Sequence, residues 1–214
     1  VWLLNEEALA RHGKPLSNIV YMGMGEPLLN YKQVLQSIAQ VTDPEGGLAM
    51  SPKRITVSSA GIAKMIKKLG DDGVRFEFAL SLHAANDAKR SELMPINDTN
   101  TLDALREALA HFYQKTGTRA TLEYVFLAGQ NDSLQDAREL AAFSRSVPTK
   151  INIIEYNPIA LADYQFGGQD QLDRFVVVLE QAGCIVNVRR SRGQDVDGAC
   201  GQLAIKEDAA TASS

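Results

Sequence analysis

"VYMGMGEPLLNY", residues 20–31, runs from an apolar, β-prone stretch straight into Gly23-Met24-Gly25-Glu26-Pro27. Valine and tyrosine suit a pleated, half-buried strand, whereas glycine frees the backbone and proline fixes its own φ. The segment therefore reads as a strand that stops abruptly in a polar loop. Alone, that loop has two uses. It is a solvent-facing turn, or it is a binding loop where Gly25 lets a ligand near the backbone and Glu26 accepts a cationic group.

The same unit recurs along the chain. "NIVYMGM" (18–24), "RITVSS" (54–59), "RFEFALSLHA" (75–84), "ATLEYVFLAG" (120–129), "KINIIEYNPI" (150–159) and "CIVNVRR" (184–190) all read as strands. Helical patterns lie between most of them. "YKQVLQSIAQV" sets Val34, Leu35, Ile38 and Val41 on one face. "TLDALREALAHFYQKTG" opens on Thr101 as N-cap and closes on Gly117, and "SLQDARELAAFSRSV" opens on Ser133. "QDQLDRFVVVLEQAG" closes on Gly183, and "VWLLNEEALARHG" at the start reads as a helix in progress.

Strand–helix alternation of this kind predicts a parallel sheet with helices outside it, an α/β fold. Such folds bind ligands at the carboxyl ends of their strands. Polar residues gather at those ends: Gly25-Glu26, Ser58-Ser59, Ser81 with His83, and Glu155 with Asn157. Their convergence points to one site. An open doubly wound sheet concentrates its site at one switch point, whereas here nearly every strand contributes, so a barrel or partial barrel is expected. A complete eight-unit barrel takes about 250 residues. The 214-residue chain is expected to begin after the first unit of one.

Composition bounds the function. The chain is 45% hydrophobic with a formal net charge of −4, enough for one domain with a sizeable core and weakly against a dedicated nucleic-acid-binding module. No run reaches the roughly 18 apolar residues of a membrane-spanning helix. The two cysteines, Cys184 and Cys200, make no disulfide framework, which favours a reducing cytoplasm. No Cys/His cluster has metal-ligand spacing, and "GMGEP" lacks the Gly-Lys-Ser/Thr ending of a P-loop. The end, "EDAATASS", reads as a disordered tail over 207–214.

Several side chains have both a plain and a chemical use. Ser58 and Ser81 suit hydrogen bonding to a ligand carboxylate or ribose, and equally the capping of the next helix. His83 is a candidate general base or a structural donor. Asn157, before Pro158, starts a turn or reads a purine edge. Cys200, in the glycine-flanked "DGACGQL", is an incidental thiol or a mobile reactive one, while Cys184 opens an apolar strand and belongs to the core. Arg189, Arg190 and Arg192 form a basic cluster suited to phosphates or simply to solvent.

Taken together, "YMGMGEPLLN", "ITVSSAG", "SLHAANDAKRSELMPIN", "TLEYVFLAGQND", "KINIIEYNP" and "RRSRGQDVDGACGQL" resemble one family. It is the dual-specificity radical S-adenosylmethionine (SAM) RNA methyltransferases of RlmN type, which methylate adenine at C2. The resemblance runs from about residue 3 to 205 and implies a partial (β/α) barrel of the radical SAM type. It implies that Gly25, Glu26, Ser58, Ser81, Leu82, His83 and Asn157 contact SAM, with Glu26 facing the methionine ammonium. Cys200 matches the cysteine that carries the methyl group, and Cys184 matches nothing. The family's first strand, its CxxxCxxC loop for a [4Fe–4S] cluster and its second catalytic cysteine have no counterpart here. Residues 1–206 are thus expected to be an N-terminally truncated radical SAM core. This fragment by itself is expected to be inactive.

The implied chemistry gives the thiol its purpose. Adenine C2 is electron-poor and no nucleophile. One SAM therefore methylates Cys200, and a second, cleaved by the reduced cluster, yields a 5′-deoxyadenosyl radical that activates the S-methyl group for addition to C2. The implied partners are 23S rRNA, tRNA and an electron donor, and the target base must leave its stack. Two rivals share some of these residues: the sister class that methylates adenine at C8, and a non-catalytic nucleotide- or RNA-binding barrel.

Overall fold

The structure, a computed structural model, describes residues 1–156 and 164–189. Its elements alternate as expected: α1 (Trp2–His12), β1 (Ile19–Tyr21), α2 (Tyr31–Thr42), β2 (Ile55–Ser59), α3 (Ala63–Asp71), β3 (Glu77–Ser81) and α4 (Asp87–Leu93). They continue as α5 (Leu102–Thr116), β4 (Ala120–Phe126), α6 (Leu134–Ser146), β5 (Thr149–Glu155), α7 (Gln169–Gln181) and β6 (Val186–Arg189). The strands form one six-stranded sheet in the order β1-β2-β3-β4-β5-β6, and every neighbouring pair is parallel.

That order has a geometric consequence. Crossovers between parallel strands are right-handed, so a chain that always steps the same way lays its crossover helices on one face. A doubly wound sheet reverses direction and covers both faces. Here the direction never reverses, and the second face becomes the inner surface of a partial barrel. The side chains agree. Ile55, Val57, Phe78, Leu80, Leu122, Tyr124, Phe126, Ile151 and Ile153 are buried beneath the helices. The alternate positions are mostly polar (Thr56, Ser58, Glu77, Ser81, Thr121, Glu123, Lys150 and Asn152), with Ala79, Val125 and Ile154 among them. A parallel sheet covered on both faces would be apolar throughout. Period-two alternation instead marks this sheet as having one helical side and one predominantly polar lumen.

Local chemistry sets the helix limits. The Thr101 hydroxyl accepts from the Ala104 N–H, and Gly117 closes α5 at φ 67° in the left-handed region. Ser133 and Asp136 cap α6 reciprocally. The sequence reading omits two helices, α3 and α4, which are short. Ile66 and Leu69 carry the buried face of α3, and the Asn86 side chain caps α4 by accepting from the Lys89 N–H. Several strands also end earlier than their apolar runs. Beyond Phe126 the Leu127 N–H turns to the Asn131 Oδ1 at 2.8 Å, so the apolar residues that follow pack in a turn. Among the described residues, no helix is long and apolar enough to cross a membrane. Residues 207–214, read as a tail, lie outside the described residues.

Candidate functional site

The carboxyl ends of β1, β2 and β3 are held together by a few side chains with many partners. Gly25 has φ 94°, a conformation that a Cβ would oppose, and it delivers Glu26 to the rim. The Glu26 Oε1 accepts from the Leu28 N–H at 2.9 Å and caps the short turn at Pro27–Asn30. Its Oε2 accepts from the Ala60 N–H at 2.7 Å, tying the β1 loop to the β2 loop. A carboxylate has about four acceptor directions, so two remain for a cationic group.

Ser58 does not cap a helix. Its hydroxyl donates to the Tyr21 carbonyl at 3.0 Å and sews β2 to β1 on the lumen side. Ser59 faces the other way, buried, and accepts from the Gly61 N–H at 3.0 Å. Ser81 ends β3 on the lumen face, opposite Glu123 of β4. Leu82, by contrast, is fully buried among the helices. Its N–H donates to the Glu123 carbonyl and its own carbonyl accepts from Arg90 and Ala84. Leu82 therefore supplies packing and backbone ties.

Arg90 is the least expected residue of the site. It is 0% exposed, without a carboxylate in hydrogen-bond contact among the described residues. Its guanidinium donates to the carbonyls of Ala60 (2.7 Å), Leu82 (3.2 Å) and Ser81 (3.3 Å), and to Asn97 Oδ1 (2.8 Å). Asn97 in turn donates to Asp87 and Ser91. Burial lowers the Arg90 pKa to about 10, with Asp87 opposing the shift, so the group stays charged at neutral pH. A planar fork of fixed donors suits this clasp over carbonyls at the ends of two strands.

His83 follows immediately. It has φ 56°, and the Ala84 N–H closes a tight turn to the Leu82 carbonyl at 2.7 Å across it. The turn swings the imidazole alongside β4, where Nδ1 accepts from the Val125 N–H at 3.2 Å. A backbone amide can only donate, so Nδ1 carries no proton and the neutral ring carries its hydrogen on Nε2. Burial first, and the Arg90 charge second, lower the His83 pKa to about 4. The ring is neutral at neutral pH, and it serves β4 as a hydrogen-bond acceptor through Nδ1. Asn131, fully buried, locks the arrangement by donating to the His83 carbonyl (2.7 Å) and the Val125 carbonyl (2.8 Å).

Deeper in the lumen, Glu77 pairs with Lys150 at 3.5 Å and Glu123 lies 3.9 Å from Arg189. The Asn152 Nδ2 donates to Glu123 Oε1 at 2.9 Å. A shallow surface depression lined by Ala63, Lys64, Lys68, Asp71 and Ala104 lies on the helical side and includes none of these residues.

The strand ends thus bring together Gly25, Glu26, Ser58, Ser81 and His83. Asn157, Cys200, Arg190 and Arg192 lie outside the described residues. Cys184 is half-buried against the core, and burial pushes its thiol pKa up, as suits an unreactive core cysteine. Among the described residues no group of three or more His, Cys, Asp or Glu side chains could hold a metal ion. Sequence reasoning missed Arg90, Asn131 and Glu123. A carboxylate in the middle of an apolar strand was a visible signal for Glu123. Arg90 and Asn131 bind backbone groups, which leave no such mark.

No protein-family model matches the chain. Individual proteins do. The chain is 58% identical over 207 residues to the probable dual-specificity RNA methyltransferase RlmN of Cytophaga hutchinsonii, covering 97% of this chain and 56% of that protein. It is 51% identical over 206 residues to its namesake in Salinibacter ruber, covering 95% and 56% respectively. A crystal structure of a radical SAM methyltransferase from Sphaerobacter thermophilus superposes with a TM-score of 0.89 at 36% identity, covering 94% of this chain and 58% of that one. A domain of pyruvate-formate lyase-activating enzyme from Bacteroides vulgatus shares the fold alone, at TM-score 0.62 and 13% identity. Nearly the whole chain is thus similar to RlmN dual-specificity RNA methyltransferases, and it spans a little over half the length of those relatives.

Proposed function

We propose that this chain is the larger part of the catalytic barrel of an RlmN-type radical SAM enzyme, which methylates C2 of adenosine in 23S rRNA and tRNA. The observation that carries this reading is the convergence of Glu26, Ser58, Ser81 and His83 on the carboxyl rim of a polar lumen. The RlmN names of its relatives lend nothing to a C8-methylating enzyme or to a non-catalytic module. Residues 1–206 form the core of the domain, working in the cytoplasm with an electron donor.

The chain's own residues fit SAM. Glu26, anchored by two backbone amides, offers its remaining acceptor directions to the methionine ammonium. Ser58 keeps its acceptor lone pairs after donating to Tyr21, and Ser81 presents a hydroxyl one strand further on. His83 offers Nε2–H, with Leu82 holding the turn between them, and Gly25 and Asn157 complete the contacts. Cys200 carries the methyl group. The same residues do not fit a [4Fe–4S] cluster: the chain has two cysteines, against the three that the family's cluster loop supplies. Such a cluster would supply an electron to SAM, and its ligands would have to come from outside this chain.

The test uses methyl-labelled SAM with the complete protein. Label should appear on Cys200, and Cys200→Ala should bind SAM normally yet transfer no methyl group to RNA. Label on Cys184 would overturn the assignment.

A further inference from the structure

Glu123 sits on the lumen face in the middle of β4, in register with Ser81 of β3 and Asn152 of β5. It is 5% exposed. Its two oxygens differ. Oε1 receives the Asn152 amide, while Oε2 is buried without a hydrogen-bond partner among the described residues. Among the described residues the nearest cation is Arg189 Nη1 at 3.9 Å, close enough to attract but too far to donate. Buried polar atoms in folded proteins are nearly always satisfied, so an orphan of this kind calls for a donor.

The surrounding network specifies that donor's direction. The Asn187 Nδ2 points to Asn152 Oδ1 at 3.4 Å, and Asn152 Nδ2 points to Glu123. Hydrogen bonds therefore run inward from β6 through β5 and end on an acceptor in β4. The lumen's other charged pair, Glu77 with Lys150, satisfies itself. What is lacking at Glu123 is an N–H or O–H entering from the lumen, and Ser81 stands opposite it on the neighbouring strand, on the same face.

We propose that Glu123 Oε2 is a ligand acceptor, taking an N–H or O–H hydrogen bond from a nucleoside seated in the lumen. This rests on the proposed function, under which two nucleosides enter the lumen, each rich in donors. The donor is either a ribose hydroxyl of SAM or the 6-amino group of the target adenosine. The chemistry at Glu123 is the same for both.

Binding in the complete enzyme separates them. One arm titrates S-adenosylhomocysteine against its 2′-deoxy and 3′-deoxy analogues. The other titrates substrate RNA carrying adenosine or purine riboside, which lacks the 6-amino group. Glu123→Gln keeps the side-chain volume and the Asn152 contact but presents an amide N–H where Oε2 stood. It should weaken one arm's donor-bearing probe by roughly 10- to 100-fold and abolish wild type's preference for that probe over its analogue. The affected arm identifies the donor. Glu123→Asp, which withdraws the carboxylate without removing it, should fall between and carries the test if the glutamine variant folds poorly. Wild-type binding in every arm of both variants would overturn the inference and leave Glu123 as a partner of Asn152 and Arg189. Failure of the wild type to bind either S-adenosylhomocysteine or RNA would instead remove the proposed function, and this inference with it.

Discussion

Glu26 and Arg90 grip the same residue from opposite sides: the Ala60 N–H donates to the Glu26 carboxylate and the Ala60 carbonyl accepts from the Arg90 guanidinium, each at 2.7 Å. The rim acid at the end of β1 and the buried base on α4 are thereby joined through the loop that follows β2. Whatever ligand Glu26 meets, it meets a carboxylate already fixed in place. Such preorganisation spares the binding step the cost of ordering it.

Glu26→Gln should therefore do more than weaken a ligand contact. One of the two backbone amides must face an amide N–H in place of a carboxylate oxygen, at about 1–3 kcal/mol for the lost acceptor. Hydrogen exchange at the Leu28 and Ala60 amides should accelerate even without ligand. Unchanged protection at both would show that the carboxylate does not anchor the rim.

Arg90→Met should be among the most damaging single changes, because it strands carbonyls of two strand ends and Asn97 at once. About 3–5 kcal/mol is expected from breaking a buried charged network, measured by urea unfolding. Lysine should rescue little, since one ammonium cannot span these acceptors. Gly61→Ala probes the same clasp from outside. Gly61 has φ 109°, and a Cβ there would stand 3.1 Å from the Arg90 Nη2. A stable Arg90→Met protein with unchanged unfolding would refute the clasp.

His83 makes stability depend on pH. Its folded pKa is about 4 against an ordinary 6.5, chiefly through burial, with Arg90 as the charge that faces it. Between those values the unfolded chain binds the proton and the folded one does not. Stability is thus lost as pH falls from about 6.5 towards 4, by roughly 2–3 kcal/mol. His83→Asn keeps a residue tolerant of positive φ and an acceptor for Val125, but cannot titrate. Unfolding curves between pH 4 and 7 should be flatter for that variant. Parallel curves for both proteins would place the His83 titration elsewhere.

Much of this was legible in the sequence because it is local. Thr101, Gly117 and Ser133 announce helix ends by chemistry confined to a few residues. The strands announce themselves by composition, and the polar strand ends by position. Arg90 and Asn131 were illegible for the opposite reason. Their partners are carbonyls of Ala60, Ser81, Leu82, His83 and Val125, brought near only by the fold. Every residue has a carbonyl, so no sequence pattern marks the ones they seek. His83 was legible as a site residue but not as a left-handed one. Its conformation is imposed by the turn that Asn131 holds.

The alternation along β2 to β5 has a consequence for how such a protein can change. Fold and chemistry are written on largely separate, alternating sets of positions along each strand. Drift among Thr56, Thr121, Lys150 or Asn152 can alter what the interior welcomes without disturbing the packing of Val57, Leu122, Ile151 or Ile153. The barrel is in that sense a reusable vessel: its lining can be rewritten by selection or by design while its wall stands.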